Sequence, residues 1–171
     1  MQQRMERYVS FTVNGKKIEL SVGEKQGQMP PQETLAHTLR DRLSLTGAKI
    51  GCDQGACGCC TVIMDEKAVT SCMTFTCDCD GTDIITIEGL ADAATGTLSD
   101  LQQSFIDNAG YQCGFCIPGI IMSAEALLRE KELPDEDEVR EALAGNYCRC
   151  GTHYTAVDSI MAFVEKRRAA K

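Results

Sequence analysis

Tryptophan is absent from this chain of 171 residues, and tyrosine and phenylalanine together hold the aromatic content to 5%. A hydrophobic content of 43% still supports a folded core, which excludes disorder. A small core poor in large rings gains from bound metal. Long apolar runs are missing as well. No stretch approaches the roughly 18 to 20 apolar residues of a membrane span. The start, MQQRMERYVSFTVNG, has no apolar signal region, which predicts a cytoplasmic chain without membrane insertion. Positive charge is in deficit: 17 Lys and Arg face 25 Asp and Glu, for a formal net charge of -8. That balance argues against nucleic acid or an anionic membrane as partner and for a protein surface. Catalytic signatures are also lacking. There is no nucleophile elbow, no GxxxxGK phosphate loop and no GxGxxG, so neither nucleotide nor flavin is expected to bind this chain. The acidic run PDEDE reads as a helix start with a solvated face. The chemistry belongs to a partner.

What the chain has in abundance is cysteine, eleven in all. An odd count in a chain expected in a reducing compartment points to metal ligation rather than disulfides. The first set lies in GCDQGACGCC, where Cys52, Cys57 and Cys60 follow CxxxxCxxC and Cys72 comes twelve positions later. That is the plant-type ferredoxin spacing for a 2Fe-2S cluster. Four thiolates and two sulfides outweigh two ferric ions and leave a net charge of about -2, deepened by one electron to about -3, which must be balanced by donors. Gly51, Gly55 and Gly58 allow the loop to turn its amides toward the sulfurs. Zinc held by four cysteines is the rival, and four-then-two spacing within one loop is unusual for it. The second set is YQCGFC, with Cys113 and Cys116, and NYCRC, with Cys148 and Cys150. A CxxC joined through 31 residues to a CxC suits zinc nearly as well as iron. Two quartets imply two centres, and two centres in one small chain imply electrons passing between them. Cys59 sits beside Cys60, but the spacing selects Cys60 and leaves Cys59 pointing elsewhere. Cys77 and Cys79 form a CxC pair in TCDCDG. All three read as spare thiols, with an extra metal or ready oxidation as alternatives.

The organisation changes near residue 90, dividing the chain into domains at 1–90 and 91–171. YVSFTV and KIELSV flank Asn14-Gly15, a two-residue hairpin signal. ETLAHTLRDRL places Leu35, Leu39 and Leu43 on one helical face, with Gly47 as a stop. TVIM and TDIITIEGL read as further strands, with turn signals at Asp65-Glu66 and Asp80-Gly81. A small sheet with one packed helix is the β-grasp pattern. The stretch GEKQGQMPPQE reads as a surface loop. Beyond the linker ADAATGT the chain is helical. One helix starts near Leu98 and a second carries Ile117, Ile120, Ile121, Ala124, Leu127 and Leu128, with Pro118 in its first turn. A third begins at Pro134-Asp135, and a fourth carries Val157, Ile160, Met161 and Val164 and ends on Lys166, Arg167 and Arg168.

Taken in order, GCDQGACGCCTV, SCMTF, TIEGL, QCGFCIPG and GNYCRCG resemble the iron-sulfur subunit of the xanthine dehydrogenase and aldehyde oxidase family, the molybdenum hydroxylases, from about Tyr8 to Val164. The resemblance implies an α+β chain: an N-terminal β-grasp plant-type ferredoxin domain, then a C-terminal four-helix 2Fe-2S domain. It places Cys113, Cys116, Cys148 and Cys150 on the inner cluster, near a molybdopterin cofactor held by a separate large subunit. Cys52, Cys57, Cys60 and Cys72 fall on the outer cluster. Gln112 and Cys150 fall where the family faces the pterin. Electrons would leave through the inner cluster, then the outer, for a flavin subunit or another acceptor. The chain departs from the family pattern at Cys59, usually alanine, at CRCGTHY, which sets His153 at or beside an aromatic position, and in its lengthened 23–33 loop. Arg149, between two ligands, most simply offsets cluster charge and hydrogen-bonds locally. Two rival readings are a free-standing two-cluster carrier and a zinc-stabilised interaction module.

Overall fold

The computed structural model describes residues 7–171; residues 1–6, where the first domain was expected to begin, lie outside the described residues. Asn14 and Gly15 take positive φ values of 51° and 74°. The turn matches strand twist and joins β1 (Arg7–Val13) to β2 (Lys16–Val22) in an antiparallel hairpin, with Val13 opposite Lys16. Asp65-Glu66, at φ 47° and 67°, makes a second such hairpin between β3 (Thr61–Met64) and β4 (Lys67–Thr70). β5 (Asp83–Ile85) runs parallel to β1 and antiparallel to β3, so the sheet order is β2-β1-β5-β3-β4. Val9, Phe11 and Val13 alternate onto the buried face of β1 and pack with Leu35, Leu39, Val62 and Ile84.

The expected first helix forms but changes pitch. One α turn, Leu35–His37, opens α1, and a π turn, Thr38–Arg42, continues it, with the Leu43 amide reaching the Thr38 carbonyl at 3.1 Å. The wider turn is held by contacts beyond the helix. Arg42 donates from Nε and Nη2 to the Glu33 carboxylate at 2.6 and 2.7 Å, and Arg40 Nη1 donates to the carbonyls of Thr46 and Ala48. The helix ends at Leu43 with Ser44 at φ 57°, not at Gly47. Gly47 serves another purpose: a Cβ there would lie 2.1 Å from the Ile87 side chain, and its amide donates to Glu88 Oε1 at 2.7 Å.

Two strand expectations are also revised. Lys67–Thr70 is a strand that the sequence pattern did not mark, created by its hairpin partner β3. Ile87–Leu90 leaves the sheet as a 3₁₀ turn. Asn14 accounts for the departure, because its Oδ1 accepts from the Thr86 amide and its Nδ2 donates to the Thr86 hydroxyl, each at 2.9 Å. The ladder cannot use those groups.

Four helices follow. A Ser99–Gln102 capping box starts α2 (Asp100–Asp107), Pro118 sits in the first turn of α3 (Ile117–Glu130), and Asp135 with Glu138 caps α4 (Glu136–Ala142). The last helix is α5 (His153–Ala169). They share a core of Leu101, Phe105, Ile120, Val139, Leu143 and Ile160. The halves are joined where α3 crosses β3: Met122 and Ala126 pack on Ile63, with Ile85, Ile87 and Leu90 at the margin. Ile63 and Met122 are fully buried, and such side chains contribute about 1.5–3 kcal/mol each. That contact fixes the cysteine loops of the two halves against each other.

Candidate metal centres

Cys52, Cys57 and Cys60 lie on the loop that runs from α1 into β3, and Cys72 lies on the 3₁₀ turn Ser71–Met73 after β4. Ser71 brings the two segments together, donating from its hydroxyl at 2.7 Å and its amide at 3.3 Å to the Cys60 carbonyl. The Cys72 thiol then lies within hydrogen-bonding reach of Cys60, and Cys52 within reach of Cys57. Positive φ at Asp53 (55°) and Gly55 (74°) turns backbone amides inward. The amides of Gln54 and Ala56 donate to Cys52 Sγ at 3.5 and 3.3 Å. The Gln54 amide is the main reason the Cys52 thiol is lowered to about 7. Burial, and then the hydrogen bond with Cys60, push Cys72 up to about 11.

The second set stands just ahead of two helices. Cys113 and Cys116 precede α3, and Cys148 and Cys150 precede α5. Cys113 pairs with Cys150, both exposed, while buried Cys116 pairs with half-buried Cys148. Burial pushes Cys116 up to about 12, reinforced by its hydrogen bond to Cys148. Burial also opposes the Cys148 thiolate, but the Thr152 hydroxyl at 2.8 Å and amide at 3.4 Å outweigh it and bring Cys148 down to about 7. The Phe115 amide lowers Cys113, and the hydrogen bond with Cys113 raises Cys150.

The two sets are neighbours. The Tyr147 amide donates to the Cys57 carbonyl at 2.9 Å and Asn146 Nδ2 donates to the Gly58 carbonyl at 3.1 Å. Gly119 of α3 closes on the same loop, so that a Cβ there would lie 2.1 Å from the Gly58 oxygen. His153, unassigned by the sequence, hydrogen-bonds through Nε2 to the Asn146 carbonyl and so braces this junction. A cavity of about 300 Å³ is lined by Cys52, Cys57, Cys59, Cys113, Cys116, Cys148 and Cys150, together with Phe115, Tyr147 and Arg149. Cys59 is 5% exposed and points into the helical core beside Cys116. Arg149 Nη1 donates to the Tyr147 hydroxyl at 3.2 Å. Gln112 is exposed next to Cys113. Cys77 and Cys79 stand apart from both sets, with their thiols directed at the carbonyls of Pro31 and Phe75.

Among the described residues no three His, Cys, Asp or Glu side chains are placed to hold one metal ion; within the two sets the thiols interact as Cys52 with Cys57, Cys60 with Cys72, Cys113 with Cys150 and Cys116 with Cys148, and Cys59 also interacts with Cys57. A single tetrahedral zinc draws four donors to one ion. A 2Fe-2S group takes two thiolates on each of two irons. Pairs of thiols, with amide and hydroxyl donors aimed at their sulfurs, fit the second.

Residues 11–85 match the family of the 2Fe-2S iron-sulfur cluster binding domain, and residues 86–161 match that of the [2Fe-2S] binding domain. The chain is 42% identical over 153 residues to the nicotine 6-hydroxylase small subunit of Paenarthrobacter nicotinovorans, an alignment covering 90% of this chain and 87% of that one. The chain belongs to the iron-sulfur small subunits of the molybdenum hydroxylase family. Among solved structures, quinoline 2-oxidoreductase from Pseudomonas putida 86 matches this small subunit with a TM-score of 0.84 and 38% identity, covering 96% of this chain and 97% of that one. Aldehyde oxidoreductase from Desulfovibrio gigas matches with a TM-score of 0.84 and 36% identity, covering 96% of this chain and 18% of that much longer one. The small subunit is thus α+β, with a β-grasp ferredoxin domain followed by a helical one, and binds two iron-sulfur clusters. It is the non-catalytic electron-transfer component of a multi-subunit oxidoreductase. Among the described residues no helix is long and apolar enough to cross a membrane.

Proposed function

We propose that Cys52, Cys57, Cys60 and Cys72 hold the outer cluster and that Cys113, Cys116, Cys148 and Cys150 hold the inner one, in domains spanning residues 1–90 and 91–171. The observation that carries the ligand assignment is the pairing of thiols. Cys52 stands with Cys57 and Cys60 with Cys72, while Cys113 stands with Cys150 and Cys116 with Cys148, so each pair supplies one iron. When bound, each cluster takes up and releases one electron. This chain's own residues set the conditions: the amides of Gln54, Ala56 and Thr152 offset negative charge on sulfur, and the Tyr147–Cys57 hydrogen bond holds the two ligand loops in register.

The inner set faces the molybdopterin cofactor of a large partner subunit through exposed Gln112, Cys113 and Cys150. Electrons enter there, pass to the outer set and leave for a flavin subunit or another acceptor. The complex works in the cytoplasm on an aromatic N-heterocycle. Nicotine and quinoline in the names of two similar proteins support that substrate class, and the match to an aldehyde oxidoreductase keeps aldehydes as the second reading. Purification of the native assembly tests this. A co-purifying large subunit containing molybdenum, and turnover of an N-heterocycle in preference to an aldehyde, are expected. A fully iron-loaded chain recovered alone, with no large partner, would contradict it.

A further inference from the structure

The loops that carry the two sets of cysteines meet at Gly58, and the residue seated against it is Asn146. Gly58 lies between Cys57 and Cys60 in the outer loop, and Asn146 lies two residues before Cys148 in the inner one. The fit is close: a Cβ on Gly58 would stand 2.5 Å from the Gly145 carbonyl oxygen, 2.6 Å from Asn146 Nδ2 and 3.1 Å from Asn146 Cα. The Gly58 carbonyl accepts from two residues. Thr61 supplies its hydroxyl at 2.7 Å and its amide at 3.2 Å, and both bonds stay within the outer loop. The bond from Asn146 Nδ2, at 3.1 Å, crosses to the inner loop. Asn146 is 6% exposed and is itself held at both backbone groups, because its amide donates to the Leu143 carbonyl at 2.9 Å and its carbonyl is bonded to His153. A carbonyl only accepts, so the hydrogen of that last bond sits on His153 Nε2. His153 opens α5, which packs through Val157 and Ile160 into the helical core, and so Asn146 is anchored to a rigid element.

Resting on the ligand assignment above, we propose that Asn146, held in place by His153, is a positioning residue for electron passage between the two sets, its side-chain amide fixing the separation of the outer and inner ligand loops. The electron gained on the outer side is the one given up on the inner, and the two residues contribute neither a bond nor a proton to that exchange. They contribute distance. Electron transfer and the magnetic interaction of two unpaired spins both weaken steeply as their separation grows. The Tyr147 amide, which donates to the Cys57 carbonyl, is the adjacent tether and belongs to the residue directly after Asn146. Freeing Asn146 therefore loosens both ties. Each loop keeps its own contacts without it: the Gly58 carbonyl retains both Thr61 donors and is not left unsatisfied, and Cys148 retains the hydroxyl and amide of Thr152. Iron binding and the potential of each centre should thus stay the same while the interaction between centres changes.

The test is Asn146→Leu, which keeps the size of the side chain and removes its donor, beside His153→Phe and His153→Gln, all in the assembled enzyme. Iron is counted, both paramagnetic signals are followed in a redox titration, their mutual splitting is measured in fully reduced material, and the arrival of the electron at the outer signal is timed by rapid freezing. Asn146→Leu is expected to keep full iron and unmoved potentials, to narrow the splitting and to delay the outer signal severalfold. His153→Phe should act in the same direction. His153→Gln, which keeps an amide donor for the Asn146 carbonyl, should restore both splitting and timing. Unchanged splitting and timing in Asn146→Leu and His153→Phe would overturn the proposal. So would lost iron or moved potentials in His153→Phe, or no recovery in His153→Gln, by making the junction structural only. If Asn146→Leu does not load iron, the His153 pair decides alone. The same titration on Cys57→Ser separates this from the assignment beneath it: if the outer signal survives that substitution, the ligand assignment is what has failed.

Discussion

Placing a single methyl group at residue 119 tests how tightly the two halves are locked. In Gly119→Ala the new Cβ would sit 2.1 Å from the Gly58 carbonyl oxygen, 3.0 Å from the Cys59 Cα and 3.1 Å from its carbonyl carbon. All three are backbone atoms, so no side chain can swing aside, and the outer loop must retreat from α3 by roughly an ångström. Overpacking of this kind costs about 1–3 kcal/mol. The retreat also strains the hydrogen bond from Asn146 Nδ2 to the Gly58 carbonyl, worth a further ~0.5–1.5 kcal/mol. A loss of about 2–4 kcal/mol lowers the melting temperature of a chain of this size by about 5–15 °C. Gly145→Ala is the control: a Cβ there meets nothing within 4 Å, and its effect should stay within about 0.5 kcal/mol. Thermal unfolding of the two iron-loaded variants beside the parent decides the matter. Equal melting of Gly119→Ala and Gly145→Ala would refute the reasoning.

Cys116→Ser should abolish one of two paramagnetic signals in the reduced protein while the Cys57-dependent one remains; loss of both would show that the two sites do not load independently. Gln112→Ala should weaken molybdopterin retention in the assembled enzyme without bleaching either cluster, and unchanged cofactor content would remove Gln112 from that contact. Glu33 is held below the usual carboxylate range chiefly by its hydrogen bond to Arg42. Its folded pKa is thus lower than its unfolded value of about 4.3. The stability it adds is present above that unfolded value and is lost as pH falls through the folded one. Glu33→Gln should cost about 1–2 kcal/mol in urea unfolding near neutral pH, with the deficit shrinking below about pH 4. A deficit constant with pH would count against the ion pair as its source.

Much of this molecule is written in short-range chemistry. Asn14-Gly15 makes its hairpin because both positions accept positive φ, Ser99 and Asp135 mark helix starts through their capping hydrogen bonds, and Pro118 marks one because its missing N–H costs little in a first turn. The cysteine spacing is legible for the same reason, since thiols that must meet within one loop need fixed separations. The structure sets Cys52 by Cys57 and Cys72 by Cys60, and Cys113 by Cys150 and Cys116 by Cys148.

What escaped the sequence depends on distant partners. The π turn at Thr38–Arg42 answers to Glu33 and to the carbonyls of Thr46 and Ala48. β4 exists because β3 pairs with it, and Ile87–Leu90 leaves the sheet because Asn14 occupies Thr86. Cys59 could be told from Cys60 by spacing, but its place between the two sets arises only when α3 packs on the loop. The link of His153 to Asn146 likewise spans two loops. The sequence patterns carry no sign of either.

The central claim is that two separate groups of four thiols each carry an iron pair. Anaerobically prepared protein should contain about four irons and about four acid-labile sulfides per chain and, on reduction, show two distinguishable signals. Zinc in place of iron, or about two irons with a single signal from fully loaded material, would contradict it.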